Sequence, residues 1–182
     1  MKKFSRRARV ATGGVVLAAA AAGTFGTVSA NASAPAAAEA RPATVKAADT
    51  VTSTHLSIAA ATEAAEAVLD AAKKENQRVS VAVVDRNGNT LVTLRGDGAG
   101  PQSYESAVRK AFTAVSWNAP TSELAERLET APNLKDIPGT LFLAGGTPVT
   151  ANNAPIAGIG VAGAPSGDLD EKFARAGAAT LR

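Results

Sequence analysis

Residues 79–95 read VSVAVVD, then RNGN, then TLVTLR. The first run, Val79 to Asp85, is short and β-branched, which predicts a strand. Arg86-Asn87-Gly88-Asn89 predicts a turn, because Asn-Gly supplies the positive φ that a tight hairpin needs. Thr90 to Arg95 returns as the second strand. Two strands joined this closely pair antiparallel, and that fixes the kind of sheet the rest of the chain must cover.

Upstream, Ser57 is placed to N-cap a helix reaching about Glu75. Ile58, Ala61, Ala65, Val68, Leu69 and Ala72 recur on one of its faces. Downstream, Gly96 to Pro101 reads as a Gly-rich loop. Ser103 opens a second helix through about Val115. A third runs from Thr121 or Ser122 to about Glu129, after Pro120. Thr140 to Ala144 (TLFLA) is predicted as a strand with Gly145-Gly146 as its turn. Pro148 to Thr150 starts another, ended by Asn152-Asn153, and Pro155 to Ala162 (PIAGIGVA) is the last. Ser166 caps a closing helix in which Leu169, Phe173 and Ala176 share a face. The order α-β-β-α-α-β-β-β-α predicts one layered α/β (α+β) domain over 55–182, with helices on both faces of a single sheet.

Gly158 to Gly163 matches G-x-G-x-x-G, but the context is wrong for a nucleotide. That fingerprint belongs in the turn after the first strand of a βαβ unit, with an acid about 20 residues on. Here the glycines lie inside a strand. Gly158, Gly160 and Ala162 fall on one strand face, so the expected role is to let a helix pack close, while Ile159 and Val161 fill the other face.

The N-terminus has a different character. Lys2, Lys3, Arg6, Arg7 and Arg9 precede an apolar run from Val10 to Ala22, shorter than the roughly 20 residues needed to span a bilayer. Small residues then offer A-x-A-like cleavage sites at Val28-Ser29-Ala30 and Ala30-Asn31-Ala32. Residues 1–32 are expected to be a secretory signal, and Ser5-Arg6-Arg7-Ala8-Arg9 suggests the twin-arginine route. Residues 33–54, rich in Ala, Pro and Thr, are expected to be a disordered leader. Nothing after residue 32 is long and apolar enough to span a membrane. Five of the 19 basic residues and none of the 16 acidic ones fall in 1–32, leaving 14 against 16, a net charge of −2. No basic surplus remains to argue for nucleic acid as a partner.

Chemistry-bearing residues are few. There is no cysteine, hence no disulfide framework and no thiolate metal site. The single histidine, His55, sits where the leader meets the domain, and no Gly-x-Ser-x-Gly elbow occurs. Acid–base work by paired carboxylates stays open, with no pair singled out. Glu123, Glu126 and Glu129 form an i, i+3, i+6 row. Glu63 with Glu66, and Asp168 with Glu171, repeat the spacing. Such pairs can hold a hard or ferric ion, although a solvated helix face is the commoner meaning of such a run.

The stretches VSVAVVDRNGNTLVTLRGDGAGPQSYESAVRKAFTA (79–114), PTSELAERL (120–128) and GGTPVTANNAPIAGIGVAGAPSGDLDEKFARAGAA (145–179) resemble the GlcG/HbpS family. The similarity runs from about Leu56 to the C-terminus and is nearest to the secreted haem-binding branch of streptomycetes. The resemblance implies a profilin-like domain with a five-stranded antiparallel sheet between helices. It implies a homo-oligomer, an octamer in this branch, that binds haem and iron outside the cell. It also implies a partner, the outer part of a membrane sensor histidine kinase in a redox-responsive two-component system. A threonine coordinates haem iron in this branch, and the matching position is Thr113, with Arg109 and Lys110 as candidates to pair with propionates. An acidic surface motif linked to iron is matched here by Glu123 and Glu126. The family is functionally mixed, so a haem-degrading or other small-ligand enzyme, and a purely structural oligomeric module, are the alternatives.

Composition by itself argues against haem. The usual axial ligands are His, Met, Cys and Tyr. With no Cys, and with its single Met at position 1, the chain offers only His55 and Tyr104 of these, or a less usual oxygen donor. Tyr104 and Thr113 are nine residues apart on the predicted second helix. That is two and a half turns at about 3.6 residues each, so they point to opposite sides.

Overall fold

A computed structural model describes residues 42–182. The expected signal and the first part of the leader lie outside the described residues. Residues 42–54 hold only one 3-10 turn, Ala47–Asp49, and are exposed throughout.

The body holds four strands and four helices. α1 (Ile58–Lys74) leads into β1 (Ser80–Asp85) and β2 (Thr90–Arg95). α2 (Pro101–Trp117) and the short α3 (Thr121–Glu126) follow, then β3 (Gly146–Ala151), β4 (Ala154–Ala162) and α4 (Gly167–Ala179). The sheet order is β2-β1-β4-β3, with every neighbouring pair antiparallel. α1 and α4 cover one face and α2 the other, as the helix order implied. Ser57 and Ser166 cap α1 and α4 as expected, accepting from Ala60 N and Leu169 N at 3.2 Å each.

β1 shows why both faces are apolar. Val81 and Val83 point into a core with Ala61, Ala65, Val68, Ile159, Val161 and Phe173. Ala82 and Val84 point the other way, against Ala107, Ala111 and Val115 of α2. Gly158 and Gly160 do what their spacing predicted. A Cβ on Gly160 would collide with the Ala107 carbonyl and the Ala111 amide, and one on Gly158 with the Ala111 carbonyl. The α2 backbone therefore lies directly on β4.

Both hairpin turns have a clear cause. In the first, Gly88 takes φ +87°. The Asp85 carboxylate accepts from Asn87 N and Asn89 N at 2.8 Å and from Asn89 Nδ2 at 3.0 Å. Burial pushes this carboxyl up, but the bonds from Asn89 and Asn87 outweigh it and hold it below the ordinary 3.8. In the second, Asn152 and Asn153 both have positive φ, at 51° and 62°, the signature of a two-residue hairpin turn.

The structure departs from expectation at TLFLA, so the sheet has four strands among the described residues and not five. Thr140 and Leu141 spend their backbone groups on side chains of α2. Arg109 Nη2 donates to Thr140 O at 2.8 Å, and Leu141 N donates to Thr113 Oγ1 at 2.8 Å. Leu143 N then turns back to Leu141 O. No ladder forms, and Gly145-Gly146 leads into β3 instead of joining two strands. The other departures are small. α2 starts two residues earlier, with Pro101 in its first turn, and the third helix tightens to a 3-10 turn over Arg127–Glu129.

Two stability measurements test this packing. Gly160→Val forces α2 off the sheet and should cost about 3 kcal/mol or more, read as a lower urea midpoint. Asp85 is a carboxyl whose folded pKa lies below its unfolded value. Its stabilisation is full above the unfolded value near 3.8 and is lost as pH falls through the folded one. Thermal midpoints taken between pH 6 and pH 2.5 should therefore fall less steeply in Asp85→Asn than in the parent. Parallel curves would show that the turn carboxylate carries no such linkage.

Candidate functional site

α2 carries the three residues that the resemblance assigned to haem. Its face toward residues 139–142 holds Arg109, Phe112 and Thr113. Thr113 has no exposed surface. Its hydroxyl donates to Arg109 O at 2.7 Å and accepts from Leu141 N. Arg109 is half-buried, with Nη2 held by Thr140 O. Phe112 is half-buried between Gly88 and Gly139. One turn on, Trp117 meets Phe142 edge to face, with ring centroids 5.1 Å apart.

Lys110 faces inward instead. It is 2% exposed, and its ammonium donates to Asp170 Oδ2 at 2.9 Å and to Val161 O at 3.0 Å. In this arrangement its charge does not reach a propionate at the surface. Burial raises the Asp170 carboxyl above its ordinary value in spite of the Lys110 bond and charge that pull it down. Asp170 Oδ1 also accepts from Ala164 N at 2.9 Å. Lys110 thus ties α2 to the end of β4 and to the first turn of α4.

The acidic candidates separate. Glu123, Glu126 and Glu129 are exposed, as are Glu63 and Glu66 on α1. Among the described residues no three His, Cys, Asp or Glu side chains converge on one point. Glu171, read from spacing as half of a surface pair with Asp168, is 3% exposed. It accepts from Ser122 N at 3.0 Å, Ser122 Oγ at 2.8 Å and Gly145 N at 3.3 Å, and pairs with Arg175 at 2.6 Å. Thr121 Oγ1 accepts from Gly146 N at 2.7 Å. Sequence reasoning missed these roles of Asp170, Glu171 and Thr121. The one available signal was that Asp168 and Asp170 fall in the first turn of a capped helix, where orphan amides and the helix dipole favour acids; Glu171 and Thr121 gave none.

His55 is exposed and bonded to Ser53 Oγ at 2.7 Å. Tyr104 is 48% exposed and Thr113 fully buried, in keeping with their opposite directions on the helix. A separate cleft of about 540 Å³ opens between the end of α1 and the β2–α2 loop, with Lys73, Arg78, Arg95, Asp70 and Asp97 on its walls. None of the candidate haem or iron residues lines it. Arg109, Phe112 and Thr113 thus place a cation, an aromatic ring and a hydroxyl side by side on α2, under residues 139–141.

Comparison with known proteins agrees with the domain as a whole. Residues 56–179 match the family described as haem degrading protein HbpS-like. The crystal structure of a Streptomyces reticuli HbpS double mutant, with two glutamates three residues apart changed to aspartate, is 74% identical. It covers 79% of this chain and 98% of its own, with a TM-score of 0.78. A PduOC:heme complex is 26% identical over 69% of this chain and 94% of its own, with a TM-score of 0.64. An uncharacterized 15.0 kDa protein from the dhaT-dhaS intergenic region of Citrobacter freundii is 33% identical over 59% of this chain and 80% of its own length. The match spans the folded domain from the start of α1 to the end of α4, and the chain belongs to the HbpS-like family.

Proposed function

We propose that the protein is an exported oligomer that binds haem reversibly on the outer face of α2. The observation that carries this reading is the match of the whole domain to the HbpS-like family, together with a relative of the same fold crystallised as a heme complex. The chemistry of α2 supports it. Arg109 offers a guanidinium for a propionate, Phe112 and Trp117 offer aromatic surface for the porphyrin, and Thr113 offers an oxygen to ferric iron. An alcohol is a weak ligand beside His or Cys, so binding through it is reversible and suits reporting on haem more than storing it. Residues 1–32 supply the export signal, by the twin-arginine route. The partners are other copies of the chain, as an octamer, and the extracytoplasmic part of a sensor histidine kinase that responds to redox stress. Iron released from haem is held by surface carboxylates, with Glu123 and Glu126 as the assigned pair.

A second reading comes from the family description itself, which speaks of haem degradation. Turnover separates the two. A Soret band that stays constant under peroxide or reductant, with no iron released, leaves binding alone.

Hemin titration of the purified protein should give a saturable Soret band. Thr113→Ala should weaken binding about tenfold, roughly 1.4 kcal/mol, while Thr113→Ser keeps the hydroxyl and most of the affinity. His55→Ala should change it least. Loss of binding in His55→Ala with Thr113→Ala unaffected would move the iron from the helix to the leader. Light scattering should find the oligomer, and a monomer would contradict the assembly.

A further inference from the structure

Residues 127–143 leave α3, pass through the 3-10 turns Arg127–Glu129 and Pro132–Asp136, and return over α2 at Thr140–Leu143. Of these residues only Thr140 and Phe142 are buried. The segment joins neither sheet core. Leu128, Leu134 and Phe142 instead close a satellite cluster with Trp117, Ala119 and Leu124. Its ends are anchored firmly, by Ser122 on Glu171 and by Gly145 and Gly146 on Glu171 and Thr121. Between those anchors it is tied to α2 by Arg109 on Thr140 O, by Leu141 N on Thr113 Oγ1, and by the edge-to-face pair of Phe142 and Trp117. Gly139, at φ +80°, lies over the ring of Phe112. An exposed segment with no ladder and a small core of its own opens at a lower free energy than the sheet beneath it.

The two polar ties use the same groups that haem would use. Thr113 donates its only proton to Arg109 O, and one of its two lone pairs takes the Leu141 amide. The other is sealed, because the residue has no exposed surface. Arg109 Nη2 is held by Thr140 O. The Arg109 fork keeps further N–H donors, so the exclusion falls on Thr113: while Leu141 N holds its oxygen and the residue stays buried, a ligand cannot reach it.

We infer that residues 127–143 are a strap that competes with the ligand for α2 and must lift before a flat, apolar, carboxylate-bearing molecule can reach Arg109 and Thr113. The inference rests on the haem reading and adds its regulation. Lifting uncovers Phe112, Trp117 and both polar groups at once. Apparent affinity is then the intrinsic affinity reduced by the fraction of molecules with the strap open. Anything that holds the strap down suppresses binding without touching the ligand.

Hydrogen exchange of the unmodified protein, with and without hemin, tests this. Without hemin, the Leu141 amide should exchange about a hundredfold faster than those of β1 and β4. With hemin it should exchange faster still, since it loses its acceptor on Thr113, while β1 and β4 stay unchanged. Stopped-flow association should level off at high hemin concentration in the parent. Phe142→Ala, which removes the strap's apolar hold outside both sheet cores, should raise that plateau, which reports the opening rate, about tenfold, and lower the apparent dissociation constant in proportion to the open fraction. A saturable Soret band with Leu141 protected or unaltered by hemin would overturn the strap and leave the haem reading intact. No Soret change in the parent or in Phe142→Ala would overturn the haem reading and the strap with it.

Discussion

The contact on which the rest depends is backbone against backbone. α2 presses its carbonyls at Ala107, Lys110 and Ala111 onto positions of β4 and β3 where no side chain stands: Gly160, Gly146 and Gly158. Side chains at these positions would hold a helix well off the sheet. Here α2 is brought close enough that Lys110, on its inner side, reaches past the end of β4 to Asp170 of α4. The same closeness fixes the outer side of α2, so Arg109, Phe112 and Thr113 are presented on a rigid rod. The candidate site is therefore a consequence of where glycine falls along two strands.

A chain without cysteine must lock its periphery by other means, and the polar links do this around the Gly145-Gly146 corner. Lys110 with Asp170 joins α2, β4 and α4. Glu171 joins α4, α3 and the loop before β3. Buried ion pairs of this kind add little net stability, since desolvating both partners offsets their attraction. Their value is geometric. They leave α3 and the start of β3 in a single position, and the segment between them spans α2 with only light attachment. A firm frame therefore surrounds a lightly attached segment.

Much of this was legible in the sequence. Asn-Gly after VSVAVVD specified the first hairpin, serine caps marked both long terminal helices, and the alternation of Gly158, Ile159, Gly160 and Val161 gave the two faces of β4. TLFLA misled because a five-residue apolar run is written the same way whether its backbone pairs with a strand or with side chains. The deciding partners, Arg109 and Thr113, lie about thirty residues away, and periodicity carries no information at that range. Glu171 misled for a related reason. An acidic stretch near the start of a helix looks solvated until the tertiary structure closes over it. The place of Thr113 came from family resemblance, and the structure adds what resemblance could not, that its hydroxyl is already engaged from both sides.

Everything proposed for function turns on haem sitting on the outer face of α2. A crystal structure of the hemin complex tests it most directly. Iron should lie beside Thr113, a propionate on Arg109, and residues 140–142 should be displaced from their ties. Porphyrin seated in the cleft of Lys73, Arg78 and Arg95, with Leu141 N still on Thr113, would contradict it.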